Sequence, residues 1–467
     1  MRLLKARAAP ALVATAIVVL AFLAFRAEER DSRTLHPIAA ARAHTSVLSA
    51  RRVPELLVRT VGDGRVGKRL AETLADPAMG AAKSQTCVDV QQGSRPIYSQ
   101  AATQRLLPAS NLKLLTAAAT LARLDGNEQL QTELLADRAP SNGVINGPLY
   151  LVGGGDPLIG SAAYETTRKY PPPKWTRVES IADAVVAAGV REIKGGVLGD
   201  DSRYDRERVI STWPPRYISL GDIGPMSALA VNDGFEAYAA QHVPSSAPAR
   251  HAASVLTELL QARGVTVDGT AGEGRAPSGA VSVAHVPSMP VKDIVTEMLE
   301  ESDNDTAELL VKELGHRFGG AGTTTAGLGV LHATLADAGL PMAGWTAVDG
   351  SGLDRADRAT CRLLVDTLTN GPHAGEIVDA LPVAAGNGTL AHRFVGHPAA
   401  GRLRGKTGSL DGVISLSGVV DSSVGRVSFA LVMNQLPSEA VGLQFADAVG
   451  DILALYPDAP KPDEIAP

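Results

Sequence analysis

A chain of 467 residues, 45% apolar and 20% charged, has globular composition; it is too apolar for wholesale disorder and too long for one ordinary core, since single cores stop growing near ~250–300 residues. The formal net charge of -6 is mild and the basic residues form no Lys/Arg stripe with interleaved aromatics, so no nucleic acid partner is expected. Cys87 and Cys361 cannot build a disulfide framework or a Cys-x-x-Cys zinc site; two separate buried thiols are expected, with a single disulfide left open.

Arg2, Lys5 and Arg7 precede an apolar run from Ala8 to Phe25, the layout of an export signal. Phe25-Arg26-Ala27 is a poor cleavage site, and the small-x-small pattern Ala41-Arg42-Ala43 lies far downstream. Residues 1–26 are therefore expected to be an uncleaved signal anchor, a cleaved signal peptide being the alternative, with the bulk of the chain outside the cytoplasmic membrane. This segment is the only expected membrane contact. Residues 27–60, with Pro37, Pro54 and unpatterned charges, are expected to be a flexible tether.

A short helix is predicted over Val66 to Leu74, then strands at Thr86 to Val90 and Arg95 to Tyr98 around the turn Gln91-Gln92-Gly93-Ser94. A helix begins after Pro108, with Ser110 in its first turn and Leu112 to Ala119 supplying good helix formers. Leu149 to Val152 is a strand running into Gly153-Gly154-Gly155-Asp156-Pro157, which reads as a turn and not as a phosphate loop, because no Gly-Lys-Ser/Thr follows. Helices around Val178 to Ala188 and His251 to Arg263, with short strands near Gly196 to Gly199, suit a separate lobe. Helical signal returns from Val291 to Phe318, broken at Ser302-Asp303-Asn304, and Gly319 to Gly329 is predicted to be a Gly/Thr-rich loop. Three alternating strands, Gly401 to Leu410, Gly412 to Asp421 and Arg426 to Asn434, form a meander closed by a helix from about Ser438 to Leu455.

Chemistry enters with Ser110-Asn111-Leu112-Lys113. A serine hydroxyl needs a base to take its proton, and a lysine three residues on shares its helix face; burial near a second cation, Lys406, would keep such a lysine neutral. Ser302-Asp303-Asn304 offers a hydroxyl to pass a proton to a leaving amine and an amide to hold substrate, with Asp303 shaping the loop. Lys406-Thr407-Gly408 on a strand offers a charge and a hydroxyl for a terminal carboxylate, and its glycine lets an extended substrate lie against the edge. The order of these boxes is that of penicillin-binding proteins and class A β-lactamases. The ten histidines show no metal-ligand spacing, so neither metal nor other cofactor is expected.

Pro108-Ala109-Ser110, Asp349-Gly350-Ser351-Gly352-Leu353, Gly386-Asn387-Gly388-Thr389-Leu390 and Gly405-Lys406-Thr407-Gly408 together resemble the D-alanyl-D-alanine carboxypeptidase/endopeptidase family of class C penicillin-binding proteins, from roughly Thr86 to the end. The resemblance implies an α/β (α+β) fold of the β-lactamase/penicillin-binding-protein-like serine transpeptidase type, an antiparallel sheet flanked by helices. It implies a catalytic domain split over 61–151 and 285–467 and an inserted lobe over 152–284, shortened relative to the family between Asn232 and His251. It further implies Ser110 as nucleophile, Lys113 as base, Ser302 as proton relay, Asn304 as substrate holder, Lys406 and Thr407 as carboxylate receivers, Gly408 as close-approach position, and the Ser110 and Ser409 amides as oxyanion hole. Ser351 and Thr389 are assigned equally to turns or to catalysis. The implied substrates are peptidoglycan peptides ending in D-Ala-D-Ala, with β-lactam antibiotics as covalent inhibitors. A serine β-lactamase is the nearest rival, though no separate Glu-x-x-x-Asn run between Lys113 and Ser302 supplies its deacylating Glu; a non-hydrolytic binding protein of the same fold is the other.

Overall fold

Period-two alternation in the last third of the chain builds the sheet that organises everything else, seen in a computed structural model that describes residues 53–167 and 175–458. In chain order, α1 (Val53–Leu74) precedes β1 (Thr86–Gln92) and β2 (Arg95–Gln100), and α2 (Lys113–Arg123) follows a 3-10 turn at Ala109–Leu112. Next come β3 (Gln129–Ala136), β4 (Leu149–Val152), α3 (Val178–Ala187), β5 (Val197–Asp200), α4 (Pro248–Ala262), β6 (Gly272–Glu273) and β7 (Val281–Pro290). Then follow α5 (Val291–Glu301), α6 (Asn304–Phe318), α7 (Thr324–Asp337), α8 (Cys361–Thr369), β8 (Leu403–Leu410), β9 (Val413–Ser422), β10 (Gly425–Asn434) and α9 (Glu439–Ala454).

The first sheet has the order β8-β9-β10-β1-β2, every neighbour antiparallel. Successive side chains on a strand point to opposite faces, and both faces are covered here. Phe429, Leu431 and Met433 of β10 pack with Leu70 of α1 and Phe445 and Val449 of α9, while Ala430 and Val432 pack with Leu115 of α2 and Leu364 of α8. Cover on two sides leaves β9 and β10 buried over most of their length, Ser415, Ser417 and Ser428 included. Helix α2 is buried from Lys113 to Leu121, as a helix in the centre of a core must be.

The second sheet runs β6-β5-β4-β3-β7, with parallel β4–β5 and β5–β6 pairs, and carries α3 and α4 through Ile181, Val185, Ala252 and Leu256. It draws strands from Gln129 to Pro290, so β3 and nearly all of β4, expected within the catalytic stretch that ends at residue 151, belong to this second sheet together with the strands of the expected lobe.

Leu57 onward forms one compact unit; of Met1–Leu56 only Val53–Leu56, helical, are described. The expected signal anchor and most of the tether fall outside the described residues, and the tether's last stretch, from Val53, is helix instead. Among the described residues no helix is long and apolar enough to cross a membrane.

Two further sequence expectations are corrected. Cys87 on β1 and Cys361 at the start of α8 are joined by a disulfide, their Cα atoms 5.9 Å apart, and are not separate thiols. The loop expected over Gly319 to Gly329 turns helical at Thr324, capped by Thr323, whose hydroxyl accepts the Ala326 amide. Gly327 serves a tight helix crossing: a Cβ there would stand 1.9 Å from the Val311 carbonyl of α6.

Candidate active site

Ser110 is presented by a strained turn. Ala109 has φ +48°, rare for a residue with a side chain, and the turn is held from three sides. Ser415 of β9 donates its hydroxyl to the Pro108 carbonyl (2.7 Å), and the buried Asn111 amide donates to Ser415 Oγ (2.6 Å) and the Lys406 carbonyl (3.2 Å). From the loop after α7, Gly352 at φ +86° lies so near that a Cβ there would be 2.0 Å from the Ala109 carbonyl. Strand β8 comes equally close: a Cβ on Gly408 would meet Ser415 Oγ at 2.3 Å and the Ser110 amide nitrogen at 3.0 Å.

Lys113 stands one helical turn beyond Ser110 and is fully buried. Its Nζ donates to Asn304 Oδ1 (2.6 Å) and the Ser351 carbonyl (2.8 Å), and lies 3.1 Å from Ser110 Oγ. Burial pushes its ammonium down to about 8, against the upward pull of Asp349, Glu308, Asp303 and Asp305. Lys406, also fully buried, is driven well below the ordinary lysine range by burial and then by the Lys113 charge.

Helix α5 ends at Ser302 in the left-handed region (φ +63°), and Asp303 caps α6 by accepting the Thr306 amide (3.1 Å). Asn304, first residue of α6, meets Lys113 with its oxygen and donates Nδ2 to the Asp222 carbonyl (2.6 Å). The Ser302 hydroxyl makes no hydrogen bond to another described residue.

β8 is the edge strand of its sheet. Its first half is covered, because Ala384 N donates to the Leu403 carbonyl (2.9 Å) and Gly405 N to the Pro382 carbonyl (3.0 Å). By strand alternation the backbone groups of Thr407 and Ser409 face the same open side, where no described strand pairs with them. Thr407 Oγ1 donates to Thr389 Oγ1 (3.0 Å), Lys406 Nζ to the Thr407 carbonyl (3.0 Å), and the exposed Ser409 hydroxyl to Glu439 Oε1 (3.2 Å).

A serine on a strained turn, a buried lysine and an open strand edge thus meet in one place. The sequence matches the D-Ala-D-Ala carboxypeptidase 3 (S13) family over residues 66–242 and 238–455. The chain belongs to the S13 family. It is 31% identical to the D-alanyl-D-alanine carboxypeptidase of Actinomadura sp. (strain R39), over 80% of this chain and 82% of that one. It is 32% identical to the carboxypeptidase DacB of Mycolicibacterium smegmatis (strain ATCC 700084 / mc(2)155), over 76% and 77% of the two chains. Its fold is that of penicillin-binding protein 4 (dacB) from Haemophilus influenzae, with TM-score 0.68 at 18% identity over 79% of this chain and 96% of that one. The α+β class expected from sequence is the one observed.

In this S13 member the structure brings Lys113 into contact with both Ser110 and Asn304, ties the Lys406 carbonyl to the Ser110 turn through Asn111, and packs Gly408 against Ser415 and the Ser110 amide. Ser302 stands at the helix break two residues before Asn304, and Ser409 lies on the open edge. Sequence reading passed over Asn111, Ser415, Asp222 and Glu308. The first three carry no local signal, since each acts through a partner distant in sequence. Glu308 had one: a carboxylate four residues after Asn304 in the apolar stretch Ala307, Leu309, Leu310, on the helix face that Asn304 occupies.

Proposed function

We propose that the chain acylates Ser110 with peptides ending in D-Ala-D-Ala and hydrolyses the ester, as a serine-type D-Ala-D-Ala carboxypeptidase and D,D-endopeptidase of peptidoglycan. The observation that carries this reading is the buried Lys113 amine, 3.1 Å from Ser110 Oγ and lowered to about 8. Lys113 takes the hydroxyl proton as Ser110 Oγ bonds to the penultimate D-Ala carbonyl carbon. The oxyanion is received by the Ser110 and Ser409 amides, each such donor being worth roughly 10²–10³ in rate. The C–N bond then breaks, the leaving amine takes a proton passed through Ser302, and water cleaves the ester to restore the free hydroxyl. Asn304 orients the substrate amide. The terminal carboxylate lies by Thr407 and Lys406, whose charge it restores by opposing the two effects that depress it. Gly408 keeps β8 close enough for the substrate strand to pair along its open edge.

β-Lactams, which present an acylating carbonyl to the same serine, are covalent inhibitors in this reading. The solved penicillin-binding protein 4 of Haemophilus influenzae has been crystallised with a novel β-lactam. Catalysis takes place outside the cytoplasmic membrane, with residues 1–26 as signal anchor or signal peptide, 27–52 as tether, and the second sheet as the lobe inserted between the boxes. The Cys87–Cys361 disulfide supports that compartment, because such bonds persist where glutathione and thioredoxin do not reduce them.

Intact-protein mass spectrometry after incubation with benzylpenicillin, with peptide mapping, tests the assignment. A lasting adduct on Ser110 that Ser110→Ala abolishes in a folded protein is the expected result, followed by D-Ala release from muropeptides. An adduct that turns over rapidly gives the β-lactamase, and no adduct gives the binding protein.

A further inference from the structure

Glu308 is fully buried on α6, one turn beyond Asn304. Its Oε1 accepts two successive amides of the loop after α7, Gly350 (2.9 Å) and Ser351 (2.8 Å). The two carbonyls of the same residues point the other way, to α2: that of Gly350 accepts Thr116 Oγ1 (2.7 Å), and that of Ser351 accepts Lys113 Nζ (2.8 Å). The loop has little freedom to settle elsewhere. Asp349 accepts the Gly352 and Asp354 amides (2.7 and 2.6 Å) and the Trp213 indole N–H (2.8 Å), and a Cβ on Gly350 would stand 2.4 Å from Val311 Cγ2.

A neutral amine has two N–H bonds and one lone pair. Around Lys113 Nζ the two fixed acceptors, Asn304 Oδ1 and the Ser351 carbonyl, are at 2.6 and 2.8 Å, and Ser110 Oγ is farther away at 3.1 Å. With both N–H bonds committed to the nearer acceptors, the lone pair is left to face the serine. We propose that Glu308 is a positioning residue for acylation: by gripping the Gly350 and Ser351 amides it fixes the carbonyl that, with Asn304, aims the Lys113 lone pair at Ser110. The proposal rests on Lys113 being the base.

The groups that face Glu308 are Asp349 on the loop and Lys113 on α2, with Asp357 behind Asp349. Burial, with the Asp349 charge added, holds the Glu308 carboxyl towards its protonated form. A protonated carboxyl still accepts both amides on its carbonyl oxygen, and a glutamine side chain presents the same oxygen. An ionised Glu308, by contrast, holds the Lys113 proton on.

Glu308→Gln, Glu308→Ala and Lys113→Ala, prepared in the full chain, are compared for the rate of Ser110 acylation by benzylpenicillin between about pH 6 and 10, with thermal melts alongside. Misplacement of a reacting group by about 1 Å costs roughly 10²-fold, and E308A is expected to lose that much. E308Q restores most of it, with a rate–pH curve displaced to lower pH than that of the wild type, because no carboxylate forms to hold the Lys113 proton. A folded E308A that acylates at the wild-type rate overturns the proposal, as does an E308Q no faster than E308A. If E308A does not fold, E308Q decides alone: a near-normal rate with the displaced curve supports the proposal, and a curve superimposed on that of the wild type, or a slow reaction, overturns it. Lys113→Ala separates the two readings. If K113A acylates normally the base assignment fails, whereas a slow K113A beside unaffected Glu308 variants removes only the positioning role.

Discussion

Lys113 is a fully buried amine that feels the charges of Asp349, Glu308, Asp303 and Asp305, and its own charge acts on the buried Lys406. Desolvation favours the neutral form and the carboxylates favour the charged one; desolvation wins, and the group titrates at about 8. In the proposed mechanism the neutral form is the base, so the acylation rate is expected to rise with pH through about 8, where an ordinary lysine would still be protonated. A stopped-flow rate–pH series with benzylpenicillin measures this; a flat curve across that range would mean that the amine is not the group taking the proton. Lys113→Ala should slow acylation by ~10²–10⁴, the usual worth of a general base.

At the scale of elements, the Ser110 turn depends on two chain segments pressed against it, the loop carrying Gly352 and the strand carrying Gly408. Gly352→Ala should cost about 1–3 kcal/mol for its left-handed backbone alone, with more from the approach to Ala109. Both a lower Tm and slower penicillin labelling are expected; a melt shift without a kinetic defect would show that the loop merely supports the fold. The three boxes and the strands from Gly401 to Asn434 were legible in the sequence because their signals are local: helical spacing in one case, alternation in the other. The partners of the boxes were not. Asn111 finds Ser415, and Glu308 finds Gly350, only when remote elements pack, and no local pattern announces those pairings. The residues from Thr324 onward misled for a related reason. Glycine composition reads as a loop, but Gly327 is small because α6 crosses there, and the threonine before the helix is its cap. The sheet membership of β3 and β4 was equally hidden, because they look like strands of any sheet, and which sheet they join is a matter of topology.

Across the whole molecule, two ties hold distant regions together. Arg203 grips Glu313 of α6 through two bonds (2.8 and 2.6 Å), Tyr204 adds a third (2.9 Å), and Glu313 is almost fully buried. Arg203→Ala should destabilise the protein by up to about 3–5 kcal/mol, since it strips the nearer cation from a buried carboxylate and leaves only Arg317, 3.7 Å from Glu313 Oε1. Denaturant unfolding measures it, and a loss below about 1 kcal/mol would place the pair among the surface ion pairs that contribute little. The disulfide is the second tie. Cys87→Ser with Cys361→Ser, or reduction of the native protein, should lower stability by about 2–4 kcal/mol, read as a fall in Tm by calorimetry.

The order of strands across the first sheet, β8-β9-β10-β1-β2, seats the earliest strands of the chain beside its last. β1 has no neighbour but β2 until β10 has been made, and Cys87 waits for Cys361, so the first sheet can be completed only after the chain has been made as far as Asn434. A chain made only as far as β9 is therefore expected to be inert, and no truncation that removes β10 is expected to leave a working hydrolase. Reactivity switches on once, late, and all together.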